Sequence, residues 1–116
     1  MGKNNIDKEH NIFIYMCDRI LFVENIENII YFESDNRKIM MHTFDENVEF
    51  YGRLKDLYSI FSEYGFDYIN QSVIANLNYI KKINKEKVVL KNNEVLYLSR
   101  TRKKMVWAKI VNMNKK

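Results

Sequence analysis

With 116 residues the chain has the length of one compact domain, long enough to bury a real core and too short for two. Hydrophobic residues make up 47% and aromatics 14%, with 3 Gly and no Pro, which excludes a disordered chain. The net charge of +4 hides a sorting: up to Asn70 there are 7 Lys or Arg against 13 Asp or Glu, and from Gln71 onward 12 against 2.

Residues 1–10 are polar, ending Asp7-Lys8-Glu9-His10, and are expected to form a flexible segment before a folded unit over 11–116. Short runs of β-branched and aromatic residues then predict strands at Ile12 to Met16, Arg19 to Val23, Ile29 to Glu33, Lys38 to Thr43 and Val48 to Phe50. The polar clusters between them, Asp35-Asn36 and Asp45-Glu46-Asn47, supply turns that β-branched residues resist. At Leu54, Leu57, Tyr58 and Phe61 the period changes to three and four, which predicts a helix from about Arg53 to Tyr64, stopped by Gly65.

Strand character returns at Asp67 to Asn70, Ile80 to Ile83, Val88 to Leu90 and Val95 to Leu98, with a hairpin turn at Lys91-Asn92-Asn93-Glu94. Ile74, Leu77 and Tyr79 are read as core. After Ser99, a residue able to cap, Met105, Val106, Lys109 and Ile110 predict a second helix that tucks Trp107 or its neighbours inward. Its first turn, Arg100 to Lys104, is basic and opposes the helix dipole, which points to an anionic ligand.

Catalytic and metal chemistry find little support. The two histidines, His10 and His42, are far apart and no C-x-x-C, H-x-x-x-H or acidic cluster accompanies them, so neither metal nor cofactor is expected. His42 reads as a hydrogen-bonded residue within a strand. A single cysteine, Cys17, excludes an intrachain disulfide and reads as a buried thiol. No G-x-S-x-G or glycine-rich phosphate loop is present, and the chain is not expected to be an enzyme. No apolar run approaches the ~20 residues of a membrane span. The first five residues lack a secretory signal's apolar segment, which favours a cytoplasmic home.

Three blocks carry a family resemblance. They are Ile29-Ile30-Tyr31-Phe32-Glu33-Ser34 followed by Arg37-Lys38, then Glu49 to Leu57 (EFYGRLKDL), then Phe66 to Ile80 (FDYINQSVIANLNYI), closing with Leu98-Ser99-Arg100. In order and spacing these resemble the LytTR DNA-binding family, found at the C-terminus of many bacterial response regulators. The resemblance implies a mainly β fold of about ten short strands in small antiparallel sheets, with one or two short helices. It also implies duplex recognition through loops that enter successive major grooves, with a second copy beside the first on a repeated site. A receiver domain would belong to a longer protein, unless the chain is a stand-alone regulator.

The matching segments here carry Asn36, Arg37 and Lys38, then Asn70, Gln71 and Ser72, then Arg100, Thr101, Arg102, Lys103 and Lys104. Arg37 can pair with guanine and Asn70 or Gln71 with adenine, while the basic run suits phosphates. Structural roles compete: Asn70 can satisfy a turn, Ser72 a backbone group and Arg37 the nearby Asp35. Tyr68, Gln71 and Thr101 depart from positions where many members are basic. An RNA or single-strand binder using Tyr and Phe platforms, or a basic protein-interaction module, are the rival readings.

Overall fold

The computed structural model describes residues 3–114. The side chain of Cys17, and with it the buried-thiol reading, lies outside the described residues. Eleven strands and two helices follow one another: β1 (Lys3–Asp7), β2 (Ile12–Cys17), β3 (Ile20–Asn25), β4 (Ile29–Asp35), β5 (Lys38–Thr43), β6 (Asn47–Tyr51), α1 (Leu54–Phe61), β7 (Phe66–Asn70), β8 (Val73–Asn76), β9 (Ile80–Asn84), β10 (Lys87–Leu90), β11 (Val95–Tyr97) and α2 (Arg100–Met113). They build three antiparallel sheets, ordered β1-β2-β3, β6-β5-β4-β8-β7 and β11-β10-β9.

The five-stranded sheet is central because both of its faces are covered. Phe32 and Ile74 point to one side, where Phe13 and Tyr15 of β2, Phe50 of β6 and Leu54, Leu57 and Phe61 of α1 close a first core. Tyr31, Val73 and Ala75 point to the other, against Val88 and Leu90 of β10, Leu98 just after β11, and Val106 of α2. A strand buried on both faces has no polar side to alternate with, so β4 and β8 read as continuous apolar runs.

Local chemistry sets the connections. Asp18 and Arg19, the two residues between β2 and β3, both have positive φ, which gives the type I′ turn whose twist suits a hairpin. The predicted helix is α1 plus one 3-10 turn at Ser62–Tyr64, and it ends on Gly65 at φ 88°. A Cβ at Gly65 would lie 2.6 Å from the side-chain Nδ2 of Asn78, which would have to shift, and the positive φ itself favours glycine.

The structure departs from expectation at three places. The ordered pattern begins at β1 rather than near Asn11, because Lys3–Asp7 pairs along β2 and Ile6 packs against the first core. β8 is an additional strand, hidden from periodicity by its burial. Tyr79 is half-buried rather than core, its hydroxyl donating to the Glu27 carbonyl. In α2 the residue tucked inward is Val106, the neighbour of Trp107, in keeping with the predicted spacing, while Trp107 itself is 53% exposed because the helix rests on the sheet through a narrow stripe. Elsewhere, His42 is hydrogen-bonded to Glu33 at 3.1 Å and stacked on Tyr31, as a structural histidine should be.

Candidate nucleic-acid interface

Strand direction brings the three predicted segments to one end of the central sheet. β4 runs toward that end and turns into β5 through Asn36 and Arg37, with Asp35 opposite Lys38. β8 departs from the same end, Val73 lying opposite Glu33, so the β7–β8 loop at Gln71 and Ser72 is its neighbour. The two loops are tied directly, the Ser34 amide donating to the Ser72 carbonyl at 2.8 Å. On the far side, the Ser99 amide donates to the Ile69 carbonyl at 2.9 Å and sets the start of α2 beside the β7–β8 loop.

Each loop is shaped by its own residues. Asn36 takes φ 59°, a left-handed conformation that asparagine tolerates, and it leaves Arg37 exposed at the tip of a two-residue turn. Gly52 then braces that turn by donating to the Arg37 carbonyl at 3.0 Å. Among the described residues Arg37 makes no ion pair, with Asp35 or any other carboxylate. Lys38 is exposed, lies 3.6 Å from Glu49 and sits over the Tyr51 ring.

Asn70 and Gln71 divide the labour in the second loop. Asn70 is buried, its Nδ2 donating to the Tyr97 carbonyl at 2.8 Å and its Oδ1 accepting from the Ser72 amide at 2.8 Å. Its amide is therefore consumed in fastening the loop to β11. Gln71 and the Ser72 side chain are exposed beyond it.

The basic run at the start of α2 splits in the same way. Arg102 turns inward, Nη2 donating to the Asp67 carboxylate at 2.8 Å and Nε to the Tyr68 carbonyl at 3.1 Å, with its guanidinium above the Tyr68 ring. Lys109, two turns on, donates to the other oxygen of Asp67, a carboxylate only 1% exposed. Burial, followed by the nearby Tyr58, raises the Tyr68 hydroxyl above the ordinary tyrosine range, partly offset by Arg102. Arg100 is exposed and donates to Glu86 at 3.0 Å, which holds it still more firmly protonated. Thr101 and Lys104 are exposed and Lys103 half-buried. Ser99 caps no backbone amide with its side chain; its hydroxyl instead meets that of Thr101 at 3.3 Å.

A groove of about 320 Å³ opens between the second loop and α2, with Gln71, Tyr97 and Thr101 on its walls. Tyr97, 56% exposed, escaped the sequence reading, although the alternation Val95, Leu96, Tyr97, Leu98 assigns it to the outer side of β11. Among the described residues no group of three or more His, Cys, Asp or Glu is placed to hold a metal. Among the described residues no helix is long and apolar enough to cross a membrane.

The polar loops and the basic start of α2 thus lie together along one end of the central sheet. The family model described as the LytTr DNA-binding domain matches residues 18–111, and the chain belongs to the LytTR family of DNA-binding domains. Among solved structures, the LytTr DNA-binding domain of a Bacillus cereus protein, described as a methyl-accepting/DNA response regulator, shares this fold with a TM-score of 0.71. It is 15% identical, over 87% of this chain and 96% of that one. A search of curated protein sequences gives no match.

Proposed function

We propose that the domain reads specific sequences in duplex DNA and serves as the output module of a transcriptional regulator, joined to a receiver domain or acting alone. The observation that carries this is the convergence of an exposed Arg37, an exposed Gln71 and the start of α2 on one hydrogen-bonded sheet end. Arg37 has the fork to pair with guanine and Gln71 the amide to pair with adenine, each worth about 1–3 kcal/mol of discrimination. Asn36, Lys38, Ser72, Thr101, Lys103 and Lys104 contact sugar and phosphate around them, and Arg100 joins them when Glu86 releases it. Asn70 and Arg102 hold the loops in place from behind. Two copies side by side on a repeated site, in the cytoplasm, complete the proposal.

Selection of duplex sites from a random DNA library tests it, followed by titration of the winner against a scrambled duplex at two salt concentrations. A recovered motif whose preference survives the higher salt supports sequence reading. Weak binding indifferent to sequence and lost with salt overturns it. Tighter binding of single strands or RNA would favour the stacking alternative, for which the exposed Tyr97 is available.

A further inference from the structure

The third sheet carries a charged outer face that none of the roles above employs. Cross-strand partners in an antiparallel sheet share a face, and the register sets Lys87 opposite both Tyr97 and Asn84, and Val89 opposite both Lys82 and Val95. Val88 and Leu90 point the other way and are fully buried, so Lys82, Lys87 and Tyr97 stand together toward solvent. At the β9–β10 turn Lys85, held at φ 57°, extends the same basic surface.

Two further observations join this face to the loop-built end. A shallow depression of about 650 Å³ runs along the hairpin past Lys85, Glu86 and Lys87, and Tyr97 forms part of its wall. Tyr97 also forms part of the groove beside Gln71 and Thr101, so one aromatic ring separates and links the two. Glu86 is a carboxylate on this hairpin, and it is engaged by Arg100.

We infer that the outer face of the β9-β10-β11 sheet is a second contact surface for duplex DNA, which holds the phosphate backbone flanking the bases read by the loops. Lys82 and Lys87 neutralise phosphates, Tyr97 lies against the sugar at the junction, and Glu86 acts as a local brake by occupying Arg100 and repelling the backbone. The inference rests on the proposed DNA reading for its ligand. It adds a sequence-independent surface that sets affinity and salt response rather than sequence preference.

The test is the salt dependence of binding to the selected duplex and to a scrambled one. Wild type, Lys82→Ala/Lys87→Ala and Glu86→Gln are compared, with thermal melting as the folding control. The double variant is expected to reduce the log–log salt slope by about two on both duplexes while keeping the ratio between them. Glu86→Gln is expected to tighten binding to both severalfold. An unchanged slope in the double variant overturns the second surface while leaving sequence reading intact. If wild type does not discriminate between the duplexes but the slope still falls by about two, sequence reading fails and the second surface stands.

Discussion

Arg102 and Asp67 form a buried ion pair at 2.8 Å that fastens α2 to the first strand residues of β7, and Lys109 doubles it from two turns farther along. Only Val106 of α2 is fully buried, so apolar contact alone is a narrow footing for a helix of 14 residues. The charges supply the rest. The buried member is Asp67, 1% exposed, whereas the Arg102 and Lys109 side chains are 24% and 42% exposed and can reach water. Asp67→Ala should therefore destabilise the domain by about 1–3 kcal/mol through the loss of both fastenings, read as a lower urea midpoint. Arg102→Ala leaves Lys109 in place and should cost less. It should also leave the DNA salt slope unchanged, which separates a fastening residue from a phosphate contact.

Asn70→Ala and Gln71→Ala should behave oppositely despite being neighbours. Losing the Asn70 amide leaves the Tyr97 carbonyl and Ser72 amide without their partner, at about 1–3 kcal/mol, visible in denaturation. Gln71→Ala touches an exposed side chain, so stability should hold while preference at one operator position is lost.

Arg37→Ala should relax sequence preference by about 1–3 kcal/mol at one position. Lys104→Ala should instead weaken binding to every duplex and reduce the salt slope by about one. Competition titrations with single-base operator variants check both. Identical behaviour of the two variants would contradict the division between base-reading and backbone-holding residues.

Gly65→Ala should destabilise the domain by about 1–3 kcal/mol, since alanine strains at φ 88° and its Cβ meets Asn78. Gly65→Ala/Asn78→Ala should recover the steric part only. Comparison of the two melting curves checks this.

Alkaline pH should loosen the second core. Burial, and then the hydrogen bond to Glu94 at 2.7 Å, raise the Tyr31 hydroxyl well above its ordinary value of 10. A group whose folded value is raised contributes stability fully present below its unfolded value, here about pH 10, and lost progressively above it. Stability measured from pH 8 to 11 should fall at the upper end in wild type and fall less in Tyr31→Phe.

Most strands announced themselves because one face meets water, as in β5, where Ile39, Met41 and Thr43 are buried and Lys38 is exposed. β8 did not, because Val73 to Asn76 are buried on both sides and alternation carries no information there. The candidate site was legible at the level of loops, since Asn36, Gln71 and Arg100 mark turns and a helix start. Which member of each cluster faces outward was not legible. Asn70 and Arg102 are recruited by partners distant in sequence, Tyr97 and Asp67, and no local pattern records such pairings.

The loops of the candidate interface hang from a sheet gripped on both faces and laced to one another through Ser34, Ser72, Ile69 and Ser99. Backbone hydrogen bonds at these points should limit how much the loops must be ordered on contact. When a stiff body meets a duplex, the shape adjustment falls on the DNA, and its cost depends on the base steps being bent. Operator positions that no side chain touches should then still count, through how readily they yield.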